Sequence, residues 1–378
     1  MRTMDEARAV CERHLPGLLA KLAAVPLLEL EKPGNPALEL FKASGGPGLV
    51  IPKAYEGRGV TPMEAIQVTR AIGAAAPSLS VASTMHHFSV ATIFALAESL
   101  RSSGVEWALL EGIATQNLLV SSAFAEGNPG QGILSPTVTG VRKEDGVVVN
   151  GSKRPCSMSR SMDLLSASIA VPGEDGGSEV MLMLVPKETP GLSVHPFWGS
   201  DVLAGAESDE VRLTDVYVDN RLLVPTEVGE QGELDELQTV GFMWFEMLIT
   251  SCYLGMVSAL AERALASGKL GADLAAELGV RLETATLLLE RIAAQLMARE
   301  SDNAALAKAM IARYGAQEAI LDAEKRAVEA LGGMAFISSP EVAYLAAAAH
   351  CVTFHPPSRS GTRRHLAAYF QGDVLRVS

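Results

Sequence analysis

A basic segment near the carboxyl terminus has the residue types that bind phosphate. Residues 358–364 read Ser-Arg-Ser-Gly-Thr-Arg-Arg, so three arginines, three hydroxyl side chains and a glycine fall in one short run. Paired arginine forks and free backbone amides can hold a phosphate group. The same run is also compatible with an exposed basic tail, and the residues alone leave both interpretations open.

Other familiar site patterns do not occur in the sequence. No set of His, Asp and Glu residues has the spacing of metal ligands, so we expect no metal site. Neither the nucleophile elbow of the hydrolases nor the phosphate-binding loop of the nucleotide hydrolases is present. The adjacent His86 and His87 lie in a mostly apolar stretch, where they either pack in the core or face a substrate cavity.

Composition and charge narrow the classes of protein further. Of the 378 residues, 48% are hydrophobic and 20% are charged, which is enough to build a sizeable core and excludes a disordered chain. The net charge of −13 argues against general binding to nucleic acid or to anionic membranes. The four cysteines are widely spaced and form no CxxC pair, which fits a reducing cytoplasm. The apolar stretch 247–261 is too short to span a membrane and predicts a buried helix.

The periodicity of apolar residues divides the chain into three parts. Residues 1–117 have helical spacing, and Thr61-Pro-Met-Glu64 is a helix start. Residues 118–226 contain several β-prone runs separated by turn residues, which predicts antiparallel strands in a sandwich or barrel. Residues 227–378 contain four long helical stretches, and the Gly332-Gly333 pair predicts a sharp break after the third.

Five phrases, in this order, resemble the acyl-CoA dehydrogenase superfamily of flavoproteins over nearly the whole chain. They are Gly48–Gly59, Gly104–Gly112, Asp145–Lys153, Val211–Val218 and Ala330–Phe336. The resemblance implies an α+β fold: an N-terminal helical domain, a central antiparallel β-barrel or sandwich domain, and a C-terminal four-helix bundle. The expected domains are therefore residues 1–117, 118–226 and 227–378.

The resemblance also implies where a flavin would bind. Phe124, Ala125 and Gln131 lie in the segment that passes the isoalloxazine ring in the family. Cys156 and Ser157 lie in the next flavin-contacting phrase, and Ser157 keeps a hydroxyl where the family has one near flavin N5. We therefore expect these residues to bind the cofactor, which the resemblance names as FAD.

The remaining cofactor-binding residues lie in the C-terminal part. Glu329, Gly332 and Gly333 match the family's turn that meets the FAD of a neighbouring subunit. The arginine phrase that usually holds the FAD diphosphate is missing, and the basic segment with Ser358 and Ser360 is the candidate replacement. Because the family completes its FAD site across subunits, the resemblance implies a homo-oligomer, either a dimer or a tetramer.

The resemblance favours oxidation of an acyl thioester, with the acyl group carried by CoA or by an acyl-carrier protein. In the family a carboxylate removes the α-proton, and the electrons pass to a flavoprotein acceptor or to oxygen. His355 and Pro356 fall where the usual Tyr and catalytic Glu would be, and a proline cannot accept a proton. Glu246, close to the position that carries this Glu in some members, is the candidate base. It could instead pair with a buried cation or face a subunit boundary.

Two further functions remain open. A flavin-dependent monooxygenase on the same fold needs no α-proton base, so Pro356 presents no obstacle to it. A catalytically degenerate partner subunit would lack both the usual base and the usual diphosphate phrase, as this chain does. Oxygen consumption or co-purification with a second chain distinguishes these functions from the dehydrogenase.

Overall fold

The computed structural model describes residues 1–99, 102, 104–128, 135–173, 177–226 and 233–377. Helices come first, strands follow and helices return, which confirms the order predicted from the sequence. The amino-terminal helices are α1 (Arg2–His14), α2 (Leu18–Ala23), α3 (Leu27–Leu30), α4 (Ala37–Ala43), α5 (Pro62–Ala75), α6 (Pro77–Glu98) and α7 (Val105–Gln116).

The start of α5 shows how local sequence sets a helix boundary. Thr61 Oγ1 accepts a hydrogen bond of 3.3 Å from the Glu64 amide, and the Glu64 carboxylate accepts one of 3.1 Å from the Thr61 amide. This reciprocal pair satisfies two amides that the first helical turn leaves without a partner, while Pro62 occupies a position that needs no donor. The predicted helix start is confirmed.

The described residues of the central part form one eight-stranded sheet. The two-residue turn Glu144-Asp145 joins β2 to β3 as an antiparallel hairpin. Hydrogen-bonded neighbours run in the order β6-β7-β3-β2-β4-β5-β8, and β1 pairs with β4 beside this path. The strands are β1 (Val120–Ala123), β2 (Thr139–Lys143), β3 (Gly146–Cys156), β4 (Leu164–Pro172), β5 (Ser178–Pro186), β6 (Leu192–His195), β7 (Asp209–Asp219) and β8 (Leu223–Pro225).

The sheet differs from the predicted all-antiparallel barrel or sandwich in two ways. The pairings of β1 and of β2 with β4 are parallel. Among the described strands, β6 and β8 end the path without pairing with each other, so the sheet is not closed and a barrel is not confirmed. Periodicity within a strand does not encode its neighbour, so the sequence did not reveal these pairings.

Five helices follow the sheet within the described residues 233–377. All four long stretches predicted from periodicity are helical, and a fifth helix, α12, was not predicted. Gly332 has φ 78° and ψ 165°, so the predicted break is confirmed, although the helical path continues beyond it to Ser338. The helices are α8 (Glu236–Ala266), α9 (Ala272–Met297), α10 (Asn303–Ser338), α11 (Pro340–His350) and α12 (Arg359–Phe370).

Helix α8 is the centre of the helical core. It packs against α5 and α6 from the amino-terminal part and against α9, α10 and α11 from the carboxyl-terminal part. One hydrophobic cluster therefore joins both helical parts, while a second cluster lies within the sheet. This packing fixes the positions of α6 and α8, and it thereby determines which helix faces lie beside the ends of the strands.

Two helices, α6 and α8, are long and apolar enough to cross a membrane by length and composition. The sequence-based argument that the second stretch is too short is wrong, because α8 has 31 residues. The most apolar window of α6 is 72% buried inside the protein, and that of α8 is 94% buried. Burial of this kind is typical of helices at the centre of a folded core.

Candidate functional site

A cavity, here called the central cavity, lies between the sheet and the helices α6 and α8. It encloses about 150 Å³, counted as the space open to the centre of a water molecule. One wall comes from the sheet, a second from the two helices, and a third from the turn at residues 355–356 after α11. The described residues of its wall include no Asp, Glu, Lys or Arg, so the cavity is apolar with a few hydroxyl groups, the amide of Gln238 and the imidazole of His355.

The sheet wall brings together three of the predicted cofactor-binding residues. Phe124 and Ala125 directly follow β1, and Ser157 directly follows β3. The Ser157 hydroxyl lies 3.0 Å from the Ser208 hydroxyl, and the Ser157 carbonyl accepts a hydrogen bond of 2.6 Å from the Ser121 hydroxyl. The bond from Ser121 holds the backbone of Ser157 against β1. That these three residues bind the cofactor stays a prediction.

Cys156 does not line the central cavity, although its neighbours Pro155 and Ser157 do. Its thiol lies in the core of the sheet, 3.3 Å from the carbonyl of Lys153. Burial raises the pKa of this thiol to about 12, which keeps it protonated and unreactive. Successive side chains of a strand point to opposite faces, so Cys156 and its two neighbours cannot share one wall.

A buried ion pair supports the sheet wall from behind. Lys153 Nζ lies 2.7 Å from a Glu126 carboxylate oxygen and donates a bond of 3.3 Å to the hydroxyl of Ser168, which lines the cavity. The Glu126 carboxylate also accepts bonds from the amides of Thr137 and Val138 at 2.9 to 3.1 Å. Burial lowers the pKa of Lys153, and the neighbouring Glu126 opposes this shift.

Aromatic side chains form the helix wall. Phe88 of α6 lies with its ring centre 6.0 Å from that of Phe124 and 5.3 Å from that of Phe245 of α8. The ring centre of Phe242, one helical turn before Phe245, lies 6.2 Å from that of Phe245 and completes this surface. The helices approach closely because Gly241 has no side chain: a Cβ there would lie 2.4 Å from the hydroxyl oxygen of Thr92.

The third wall contains His355, which was not selected from the sequence as a site residue. His355 lines the cavity, and its Nδ1 lies 2.5 Å from the hydroxyl of Tyr253 on α8. Burial, together with the nearby charge of Arg313, lowers the pKa of His355 to about 4, so the imidazole is neutral at pH 7. The signal in the sequence was a single histidine before two prolines. From the sequence, this position was compared only with the family's Tyr-Glu pair, and the imidazole was not considered as a site residue.

Glu246 lies on α8 but is not part of the cavity wall. Its carboxylate lies 2.9 Å from Arg313 Nε, and both side chains are fully buried. Burial raises the pKa of Glu246 to about 7, although Arg313 opposes the shift. Glu246 lies one helical turn beyond Phe242, but its carboxylate pairs with Arg313 instead of lining the cavity. The structure therefore gives it the buried cation that the sequence left as an alternative to a catalytic base.

The other predicted cofactor residues lie outside the central cavity. Glu329 and Gly333 are exposed on α10, and Gly332 forms its kink. Ser358 caps α12 by accepting a bond of 3.2 Å from the Gly361 amide. Ser360 is exposed beside Ser358, with their hydroxyl oxygens 3.1 Å apart. Gln131 lies outside the described residues.

The two neighbouring histidines pack in the core. His86 Nδ1 accepts a bond of 3.0 Å from the Val120 amide, so its Nε2 is the nitrogen that donates to the Pro47 carbonyl at 2.9 Å. His87 is buried against the ring of Phe41, and burial lowers the pKa of both histidines. Within the described part of the chain, no three His, Cys, Asp or Glu side chains are arranged to hold a metal ion.

The residues of the central cavity fit a flavin ring. An isoalloxazine has flat apolar faces and an edge of hydrogen-bonding groups, and the cavity offers aromatic rings on one side and serine hydroxyls with His355 on the others. The described wall of the cavity contains no Lys or Arg that could bind the phosphate of a flavin. The arginines that follow the His355 turn are Arg359, Arg363 and Arg364, at the start of α12.

Comparisons with known proteins show which solved structures have a similar fold. No protein-family model matches the sequence. A structure of KijD3 in complex with FMN and dTDP-3-amino-2,3,6-trideoxy-4-keto-3-methyl-D-glucose superposes with a TM-score of 0.82 at 16% identity, covering 97% of this chain and 94% of the other. FMN-bound TdsC from Paenibacillus sp. A11-2 superposes with a TM-score of 0.78 at 18% identity, covering 100% and 99%.

The fold and the cavity define a flavin-dependent oxidoreductase. Isobutylamine N-hydroxylase of Streptomyces viridifaciens is 44% identical over 378 residues, which is 100% of both chains. The chain belongs to the acyl-CoA dehydrogenase superfamily of flavin-dependent enzymes, as the five phrases in the sequence indicated.

Proposed function

We propose that this protein is a flavin-dependent monooxygenase that converts a small aliphatic primary amine to its hydroxylamine. The full-length relative is an amine N-hydroxylase by name, and the structural neighbour KijD3 was solved in complex with a dTDP-linked amino sugar. These likenesses favour a monooxygenase over the oxidation of an acyl thioester. The proposal therefore adopts the flavin-dependent monooxygenase that the sequence left open as an alternative.

The observation that carries the proposal is the absence of any carboxylate from the described wall of the central cavity. A thioester dehydrogenase needs a base within hydrogen-bonding reach of the α-proton, and Glu246 lies outside the wall, paired with Arg313. An amine instead reacts with oxygen through its nitrogen lone pair, so it has to be neutral. An apolar wall without a carboxylate disfavours the ammonium form.

The roles of the chain's own residues follow from their positions. Phe88, Phe242 and Phe245 contact the alkyl part of the amine and exclude water. His355, neutral at pH 7, offers a hydrogen bond without adding a charge that would repel or protonate the substrate. The Ser157 hydroxyl and the backbone after β1 orient the flavin, as the family resemblance implies.

The cofactor supplies the activation of molecular oxygen when it is bound in reduced form. Oxygen is therefore the second substrate in this proposal, in place of a flavoprotein electron acceptor. FAD is the flavin that the family resemblance implies, whereas the structures of KijD3 and TdsC contain FMN. Titration of the flavin-free protein with each reduced flavin measures which one binds more tightly.

The proposed enzyme is a homo-oligomer. After the kink at Gly332, the side chains of Met334 and Ile337 are 73% and 76% exposed and that of Phe336 is 43% exposed. Contiguous apolar side chains of this kind commonly mark an interface between proteins. Glu329 and Gly333 lie on the same end of α10, where the family resemblance implies a contact with the partner's flavin. Light scattering after size-exclusion chromatography measures whether the protein is a dimer or a tetramer.

The test of the proposal supplies the purified protein with reduced flavin, isobutylamine and air. We expect a product with one added oxygen atom, labelled when the gas is heavy-isotope oxygen. Anaerobic bleaching of bound flavin by an acyl thioester, without hydroxylamine formation, would instead support the dehydrogenase. Neither activity, from a protein that binds no flavin, would support a degenerate partner subunit.

A pair of matched variants links any activity to the central cavity. Phe245→Ala removes a ring from the cavity wall, whereas Phe41→Ala removes a fully buried ring elsewhere in the core. Both changes should lower stability by about 3–5 kcal/mol. Only Phe245→Ala should also change KM for the amine. An equal change of KM in both variants would mean that substrate binds in another place.

A further inference from the structure

A fully buried arginine, Arg313 of α10, connects the interior of the helical core to the cavity wall. Its Nε donates to Glu246 at 2.9 Å, and its Nη1 donates to the side-chain oxygen of Gln317. Its Nη2 donates to the carbonyl of Val352 at 3.1 Å and to the carbonyl of His355 at 3.3 Å. One guanidinium thus fixes two carbonyls of the turn that carries the cavity's imidazole.

The ring of His355 has a separate anchor. The hydroxyl of Tyr253, fully buried on α8, lies 2.5 Å from Nδ1. A buried hydroxyl needs an acceptor, and Nδ1 accepts its proton when the ring proton is on Nε2. Arg313 therefore holds the backbone of the turn, Tyr253 holds the ring, and Nε2 remains as the ring's donor.

The ion pair is poorly explained by stability alone. Two buried charges gain little over well-packed apolar side chains of similar volume, because desolvation offsets their attraction. Here one oxygen of Glu246, Oε1, is buried without a hydrogen-bond partner among the described residues, which adds to that cost. The bonds that an apolar pair could not replace are those to the carbonyls of Val352 and His355.

We propose that Arg313 and Glu246 are positioning residues for the oxygenation reaction, which hold the imidazole of His355 at the wall of the central cavity. Arg313 acts through the turn, and Glu246 acts by compensating the charge of Arg313. The inference rests on the proposed function, since it assigns this geometry to amine hydroxylation. Through this buried network, which does not contact the substrate, the two residues determine how much of the oxygen consumed ends in hydroxylamine and how much in hydrogen peroxide.

The test is the double variant Glu246→Leu/Arg313→Met, which replaces the pair by apolar side chains and leaves no buried charge. Removing the two charges should change stability little, but the carbonyls of Val352 and His355 and the side chain of Gln317 each lose a donor, so we expect a folded protein with a moderately lower melting temperature. A displacement of His355 by about 1 Å should lower kcat for hydroxylamine formation by about 10²-fold. KM should change by less, and reduced flavin should be oxidised to hydrogen peroxide without product. Tyr253→Phe, which frees the ring alone, should change the ratio of product to peroxide in the same direction.

Two controls separate positioning from general damage. Arg70→Met removes another buried arginine, whose bonds go to Ser258 and Thr286, and should leave the product-to-peroxide ratio unchanged. Arg313→Lys keeps a cation beside Glu246 but lacks the planar guanidinium. Its ratio of product to peroxide should therefore stay below that of the unchanged protein.

A crystal structure of the flavin-free double variant gives a readout that does not depend on activity. We expect the turn at residues 352–357 and the His355 ring to be displaced. An unmoved ring, or an unchanged ratio of product to peroxide, would overturn the inference. If the unchanged protein hydroxylates no amine, the proposed function fails, while the position of His355 still shows whether the pair holds the turn.

Discussion

Leu237, in the first turn of α8, separates the central cavity from a larger space. It lines the central cavity and also an outer cleft of about 600 Å³ between the ends of α6, α8 and α9. It also lines a side cavity of about 60 Å³ beneath Phe88 and Phe124. We predict that Leu237→Ala joins these spaces and lets the proposed amine hydroxylase accept longer amines.

The size of the effect follows from the carbon atoms that gain a binding site. Each methylene that leaves water for an apolar wall contributes about 0.8 kcal/mol, or about fourfold in kcat/KM. Hexylamine has two carbons more than isobutylamine, so its kcat/KM relative to isobutylamine should rise by about 15-fold in the variant. The variant should lose about 2–3 kcal/mol of stability, at the low end for Leu→Ala because the site already borders a cavity. For 378 residues this corresponds to a fall in melting temperature of about 3 °C.

The assay measures the hydroxylamines formed from isobutylamine and hexylamine in competition. Leu110→Ala is the matched control, because Leu110 is fully buried on α7 and lines none of these three spaces. It should lower the melting temperature without changing the selectivity. If Leu237→Ala also leaves the selectivity unchanged, Leu237 does not limit chain length and the reasoning is refuted.

Three further predictions concern the supports of the cavity. Lys153→Met leaves the Glu126 carboxylate buried without its cation and should cost about 3–5 kcal/mol, whereas Lys153→Met/Glu126→Gln should recover most of that loss in denaturant unfolding. Gly241→Ala should cost about 1–3 kcal/mol, because its Cβ would lie 2.4 Å from the Thr92 hydroxyl oxygen, and adding Thr92→Ala should relieve the loss. The pKa of Glu246 is raised from 4.5 to about 7 in the folded protein, so its contribution to stability is present below pH 4.5 and is lost as the pH rises through 7. Melting temperatures between pH 5 and 8 should therefore fall more steeply for the unchanged protein than for Glu246→Gln, and parallel curves would contradict the shift.

The sequence predicted the features that depend on neighbouring residues. The cap at Thr61 and the kink at Gly332 each follow from residues within a few positions, and both are confirmed. The resemblance also selected Phe124 and Ser157, which directly follow strands and line the central cavity, while their contact with a flavin stays a prediction. The helix–strand–helix order and the superfamily could therefore be predicted without a structure.

Tertiary structure alone decided which distant residues meet. Glu246 and Arg313 are 67 positions apart, and Tyr253 and His355 are 102 positions apart, so no local pattern pairs them. A helix rotates by about 100° per residue, so an error of one position in a family comparison separates a cavity residue from a core residue. The sequence by itself determined the kinds of element and the family. Packing, which fixes helix rotation and strand neighbours, decided that the cavity contains His355 and that Glu246 lies behind its wall.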